Sequence, residues 1–267
     1  MFEVFYGLER TPFSHGIDTD HVFLTHKTDE TLARLQVAAS RQWFALLTGD
    51  CGTGKSTLIR KLSARLAEKN NYRVLYLADS KLTPRHFYNG LLEQMGAQGR
   101  FYRGDARRVL HREIEILRAV HDLKLVVVVD EAHLLDREMV EEIRFLLNSR
   151  MDSENPLALL LVGQTEIWDK LRRQVYTAVL QRLDIRCHLT HLDEAETKAY
   201  ILHQLQVAGS QSEIFSDAAI AEVHRYASGS PRLINKACTH CLIFGQQQHK
   251  KIIDDHMVRQ VVEAELP

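Results

Sequence analysis

The chain has 267 residues, 45% of them hydrophobic and 26% charged, enough for one large domain or two small ones with a substantial core. Its 34 Lys and Arg stand against 35 Asp and Glu, a formal net charge of −1, so any contact with nucleic acid has to come from a local patch rather than a global field. The opening Met1-Phe2-Glu3-Val4-Phe5 carries no basic leader, no apolar run approaches a membrane span, and the four cysteines read as reduced thiols, so a soluble, cytoplasmic protein is expected.

Residues 1–42 precede the first core strand, with short apolar knots at Phe5–Leu8, Thr11–Phe13 and Val22–Leu24, then a helix from about Thr28 to Arg41. The segment is either a packing arm or a cover for the adenine ring of a nucleotide. Phe44 to Leu47 reads as a buried strand. The turn Gly49-Asp50-Cys51-Gly52-Thr53-Gly54 follows, and a helix opens at Lys55-Ser56-Thr57. This is G-x-x-x-x-G-K-S. Glycines let backbone N–H groups turn inward around phosphate oxygens, and the helix N-terminus adds partial positive charge. Lys55 then serves the β- and γ-phosphates, and the Ser56 hydroxyl a Mg²⁺ ion.

A second strand is expected over Arg73–Ala78 and a helix over Pro84–Met95. Between Gly99 and Arg108 lies the most basic stretch: Arg100, Arg103, Arg107 and Arg108 against the single Asp105, with Phe101 and Tyr102 interleaved. Two readings stand, a phosphate-binding patch helped by Lys81 and Arg85, or the solvated end of a helix running to about His121. Leu125–Val129 is a β-branched run of the kind buried on both faces of a parallel sheet. Asp130-Glu131 stand at its end. There one carboxylate can hold Mg²⁺ through water and the next can orient and deprotonate an attacking water. The spelling Asp130-Glu131-Ala132-His133 also occurs in certain helicases, but those need a second nucleotide-binding lobe that the helical remainder does not supply.

A helix over about Asp136–Arg150, a fourth strand over Leu157–Val162 and a short fifth over Arg186–Leu189 complete the α/β part. Gln164, after Gly163, is either a contact to the γ-phosphate or its water, or an ordinary loop residue. Beyond Thr190 the pattern is helical only: a capping box at Asp193–Glu196, a cap at Ser216, Pro231 at a first helical position and a last helix opening near Asp254. Cys238 and Cys241 fall inside an apolar helix without a second cysteine pair, so core packing is the expectation rather than zinc. The boundary is placed at residues 191/192.

The phosphate loop, the Asp130-Glu131 pair, Gly163-Gln164, Gln181-Arg182 and Gly229-Ser230-Pro231-Arg232 occur in the order seen in AAA+ ATPases. Phe5-Tyr6-Gly7-Leu8 to Pro12-Phe13, Leu161–Gln164 and Gly229–Asn235 resemble the ExeA-like branch. The resemblance implies a five-stranded parallel sheet of order 5-1-4-3-2 over residues 1–191, arm included, and a helical lid over 192–267. It implies Gln164 as polar sensor, Arg182 as an arginine acting in trans and Arg232 as lid sensor, with ATP and Mg²⁺ as cofactors. His133 stands where relatives often have glutamine. ExeA-type secretion ATPases continue past the lid, whereas this chain stops at Pro267. That favours a resemblance to the transposition ATPases TnsC, IstB and MuB. It implies a homo-oligomeric ring or filament on double-stranded DNA, a DDE-type transposase partner and no membrane. A secretion or assembly ATPase without DNA binding is the alternative.

Overall fold

The computed structural model describes residues 2–14, 16–78, 81–147 and 155–266. It divides into a sheet unit, His26–Asp50 with Lys55–Leu189, and a helical unit, Met1–Thr25 with Cys51–Gly54 and Thr190–Pro267.

In the sheet unit α2 (His26–Arg41; α1 belongs to the other unit) leads to β1 (Phe44–Gly49), α3 (Lys55–Ala67) and β2 (Tyr72–Leu77). Then come α4 (Pro84–Gln94), α5 (Arg103–Val120), β3 (Lys124–Val129), α6 (Arg137–Leu147) and β4 (Ala158–Gly163). The short α7 (Glu166–Leu171) and α8 (Thr177–Leu180) precede β5 (Ile185–Leu189). The strands are parallel in the order β2-β3-β4-β1-β5, which is the expected 5-1-4-3-2. Every residue of β1 and β4 is buried, as is every residue of β3 after Lys124. These apolar runs are therefore covered on both faces. Phe44, Leu46, Val127, Val129, Leu159 and Leu161 share one core with α4, α5 and α6, while α2 and α3 contact the strands from the other side. Strand limits differ from the sequence reading by a residue, and by two at the end of β1. Positions 148–150 of the helix expected over Asp136–Arg150 lie outside the described residues. The sequence reading did not separate α7 and α8, six and four residues long, because neither spans enough turns to show a period.

In the helical unit α1 (Phe2–Tyr6) joins α9 (Glu194–Val207), α10 (Asp217–Ala227), α11 (Pro231–Gln247) and α12 (Asp255–Glu265). The arm assigned above to the α/β part packs here instead. Its apolar knots supply Tyr6, Leu8 and Phe13 to a core with Ile201, Phe215, Ile234 and Val258, and Phe13 meets the Phe215 ring edge-on at 6.5 Å. The Tyr6 hydroxyl donates to the Lys250 carbonyl at 3.0 Å. The helix starts follow their caps. Asp193 and Glu196 form the reciprocal capping box, the Ser216 hydroxyl accepts from the Ala219 N–H, and Asp254 accepts from Met257. Cys238 and Cys241 are buried in this core, and burial pushes the Cys241 thiol up to about 12. Both therefore stay neutral, unreactive thiols.

Candidate functional site

β1 ends on Gly49, and Thr48 just before it is tied to β5, its hydroxyl donating to the Cys187 carbonyl at 3.2 Å. Gly52 and Gly54 take φ of +85° and +91°, a region closed to most side chains, so the loop's curl depends on glycine. α3 starts at Lys55, and the first N–H groups of a helix have no acceptor within it. The Lys55 side chain is 9% exposed, and its ammonium donates to the Gly49 and Asp50 carbonyls at 2.7 and 2.8 Å. The one cation of the loop is thus held inside it.

Asp130 follows β3 and is 5% exposed. Its Oδ2 accepts from the Ser56 hydroxyl at 3.2 Å and from the Tyr76 hydroxyl at 2.6 Å, while its Oδ1 accepts the Glu131 N–H at 2.8 Å. Burial, the bond to Asp130 and the charges of Asp130 and Glu131 push the Tyr76 phenol up, so Tyr76 remains a neutral donor. Among the described residues no cluster of three or more His, Cys, Asp or Glu side chains could hold a metal. One carboxylate and one hydroxyl side by side instead fit a hard cation that keeps waters and phosphate oxygens as its other ligands, which is how Mg²⁺ is usually held. Glu131 takes a left-handed backbone (φ 49°, ψ 34°) before the 3₁₀ turn Ala132–Leu134. Such a conformation in a non-glycine residue costs on the order of 1 kcal/mol or more and is concentrated at functional positions.

His133 in that turn bridges two elements. Its Nδ1 lies 3.4 Å from Glu131 Oε2, and the Gln164 side-chain amide lies 3.2 Å from its Nε2. A Cβ on Gly163 would stand 3.0 Å from the His133 backbone nitrogen, so glycine admits the close approach of β4 to the turn. Lys170 of α7 fastens the same turn by donating to the His133 and Leu135 carbonyls, both at 2.7 Å, and burial pushes its pKa down. Thr165 donates to Asp50 at 3.3 Å. Ser56, Asp130, Glu131, His133 and Gln164 thereby form a connected set, with Lys55 in the loop that ends at Ser56. Sequence reasoning missed Tyr76 and the bridging role of His133. Tyr76 stands in a strand like any other aromatic, and only the pairing of β2 with β3 sets it beside Asp130.

The Arg182 Nη1 donates to the Ala178 carbonyl at 3.1 Å. Within the helical unit the Arg232 guanidinium donates to Cys51 Sγ at 3.2 Å. A Cβ on Gly52 would stand 2.6 Å from Ser230 Oγ, so the loop tip and the Ser230-Pro231-Arg232 turn pack without room for a methyl. The basic stretch is less free than its sequence implies. Arg103 pairs with Glu138 at 2.8 Å and with buried Glu142 at 3.3 Å, both on α6, and Arg108 pairs with Asp105. Arg107 lies over Phe145 and Arg85 over Phe101, 5.3 and 4.7 Å from the ring centres. Arg100 is exposed, as is Lys81, and Phe101 and Tyr102 are 72% and 68% exposed.

A family model described as an AAA domain matches residues 38–171. General secretion pathway protein A of Aeromonas hydrophila is 32% identical over 262 residues, 96% of this chain and 47% of that protein, so the chain spans about half the length of this curated relative. Cdc6p from Pyrobaculum aerophilum is similar in structure with a TM-score of 0.75 at 17% identity, covering 94% of this chain and 69% of that one. A chain of Drosophila ORC bound to DNA gives 0.72 at 17% identity, covering 98% and 65%. At such identities the structural likeness speaks for the fold alone. Among the described residues no helix is long and apolar enough to cross a membrane.

Proposed function

The chain belongs to the AAA domain family and is an ATP hydrolase, and from that premise we propose that ATP binding assembles it on duplex DNA for a DDE-type transposase. The observation that supports the chemistry is the convergence of Lys55, Ser56, Asp130 and Glu131 at the ends of β1 and β3. The inward N–H groups of Gly49–Thr57 and the Lys55 ammonium bind the β- and γ-phosphates of ATP. Ser56 and Asp130 would hold Mg²⁺, which when bound neutralises charge on the phosphate oxygens. Glu131 Oε orients a water and takes its proton as the water oxygen bonds the γ-phosphorus and the bridging oxygen leaves with ADP. Gln164 positions that water through its side-chain amide. Arg182 acts from one copy on the γ-phosphate of the next, in a ring or filament, and Arg232 answers the nucleotide from the lid.

The DNA reading draws on the exposed arginine and aromatic surface before and within α5. Because Arg103 and Arg108 are engaged in ion pairs, Arg85, Arg100 and Arg107 are the better candidates for phosphate contacts, with Lys81 beside them. Fluorescence polarisation with labelled duplex tests it, with and without a non-hydrolysable ATP analogue. Binding should require the analogue, and its logarithm should fall linearly with log salt. A second reading, a secretion or assembly ATPase without DNA, is favoured by the 32% identity to General secretion pathway protein A across nearly the whole chain. Lack of binding to duplex under every nucleotide condition would select it.

A further inference from the structure

Among the described residues β2 is an outer strand of the sheet, so the backbone groups on its outer side have no neighbouring strand there. At Tyr76 a side chain takes that place. Gln94, the last residue of α4, accepts the Tyr76 N–H on Oε1 and donates from Nε2 to the Tyr76 carbonyl, both at 3.0 Å. The Gln94 carbonyl in turn accepts from the Arg73 guanidinium at 2.7 Å. A primary amide pairs with a peptide unit as a neighbouring strand would, and two bonds fix the residue in both position and rotation. The Tyr76 hydroxyl then reaches Asp130 Oδ2 at 2.6 Å, the oxygen that Ser56 also bonds. Tyr76 is therefore held by hydrogen bonds at both ends, its backbone by Gln94 at the end of α4 and its hydroxyl by the Asp130 carboxylate that Ser56 also bonds.

We propose that Tyr76, clamped by Gln94, is a positioning residue that orients the Asp130 carboxylate for Mg²⁺ and so couples α4 to metal binding. The proposal depends on the reading above that Ser56 and Asp130 hold the metal. Groups that orient metal-bearing carboxylates typically contribute 10- to 100-fold in metal affinity. α4 is also tied to the exposed stretch before α5, since Asn89 bonds both backbone groups of Arg100, at 2.9 and 3.0 Å. Anything that shifts α4 from that surface therefore acts on Tyr76 first and on the metal site second.

The test measures mant-ATP binding to the full chain, in EDTA and across a Mg²⁺ titration. Tyr76→Phe removes only the hydroxyl. It should raise the Mg²⁺ concentration for half-maximal tightening about tenfold and leave affinity in EDTA within about twofold. Gln94→Ala should shift the midpoint the same way by less, and the double variant should be no worse than Tyr76→Phe alone, as expected when Gln94 acts through Tyr76. Asp130→Asn separates the two layers of the argument. If it shifts the Mg²⁺ midpoint and Tyr76→Phe does not, the positioning role is overturned while the metal reading stands. If neither does, the metal reading falls and takes the proposal with it. Equal weakening with and without Mg²⁺ by Tyr76→Phe would make the tyrosine structural, and additive shifts in the double variant would show that Gln94 does not act through Tyr76.

Discussion

Lys55 shows how much one side chain contributes. Its ammonium already satisfies two loop carbonyls, so Lys55→Ala removes the only charge the loop offers phosphate and leaves those carbonyls without it. The dissociation constant for mant-ATP should rise about 100-fold or more, equivalent to one or two charge-assisted hydrogen bonds. Glu131→Gln is the complementary case. It keeps the left-handed backbone bond to Asp130 and loses only the base, so ATP binding should be unchanged while phosphate release slows by about 10²–10⁴. The expectation for these two residues rests on local sequence, a glycine turn between a strand and a helix and two carboxylates after a valine run, and the structure has both patterns at the ends of β1 and β3. Tyr76 and His133 were not legible. Tyr76 meets Asp130 across 54 positions and His133 meets Gln164 across 31, and no spacing rule reaches between separate strands.

Among elements, the strands were legible because a fully buried parallel sheet leaves uninterrupted apolar runs. Helix starts were equally legible, since caps are chemical signals within four residues. Asp193 bonds the Glu196 N–H at 2.8 Å, and Asp193→Ala should cost about 1 kcal/mol in urea unfolding of the helical unit, with ATP affinity intact. Gly229 marks the harder limit. Its φ is +75° and an added Cβ would stand 1.9 Å from the Leu192 carbonyl oxygen, so Gly229→Ala must move backbone. It should destabilise more than Asp193→Ala in the same measurement. The ion pairs of the basic stretch were not legible at this scale, because the carboxylates that engage Arg103 come from α6, 35 and 39 positions away, where no local charge count finds them.

For the whole molecule, composition alone left partners open, and assembly is where they can be tested. Arg182→Ala should lose hydrolysis by on the order of 10³-fold, as expected for an arginine that stabilises a transferring phosphoryl group. Mixed with Glu131→Gln it should recover part of the rate, because a mixed assembly contains composite sites with one intact arginine and one intact base. Absence of recovery at every mixing ratio would place Arg182 in its own subunit's chemistry or outside it. One feature of the helical unit also bears on biosynthesis. Its core joins Tyr6 and Phe13 to residues as late as Val261, and the Tyr6–Lys250 bond spans 244 positions. During translation those first aromatics emerge long before their partners, whereas His26–Asp50 and Lys55–Leu189 hold all five strands and come off the ribosome sooner. The nascent chain therefore carries an exposed apolar arm while the sheet can already form, and this arm keeps its apolar surface uncovered until α9 to α12 have emerged.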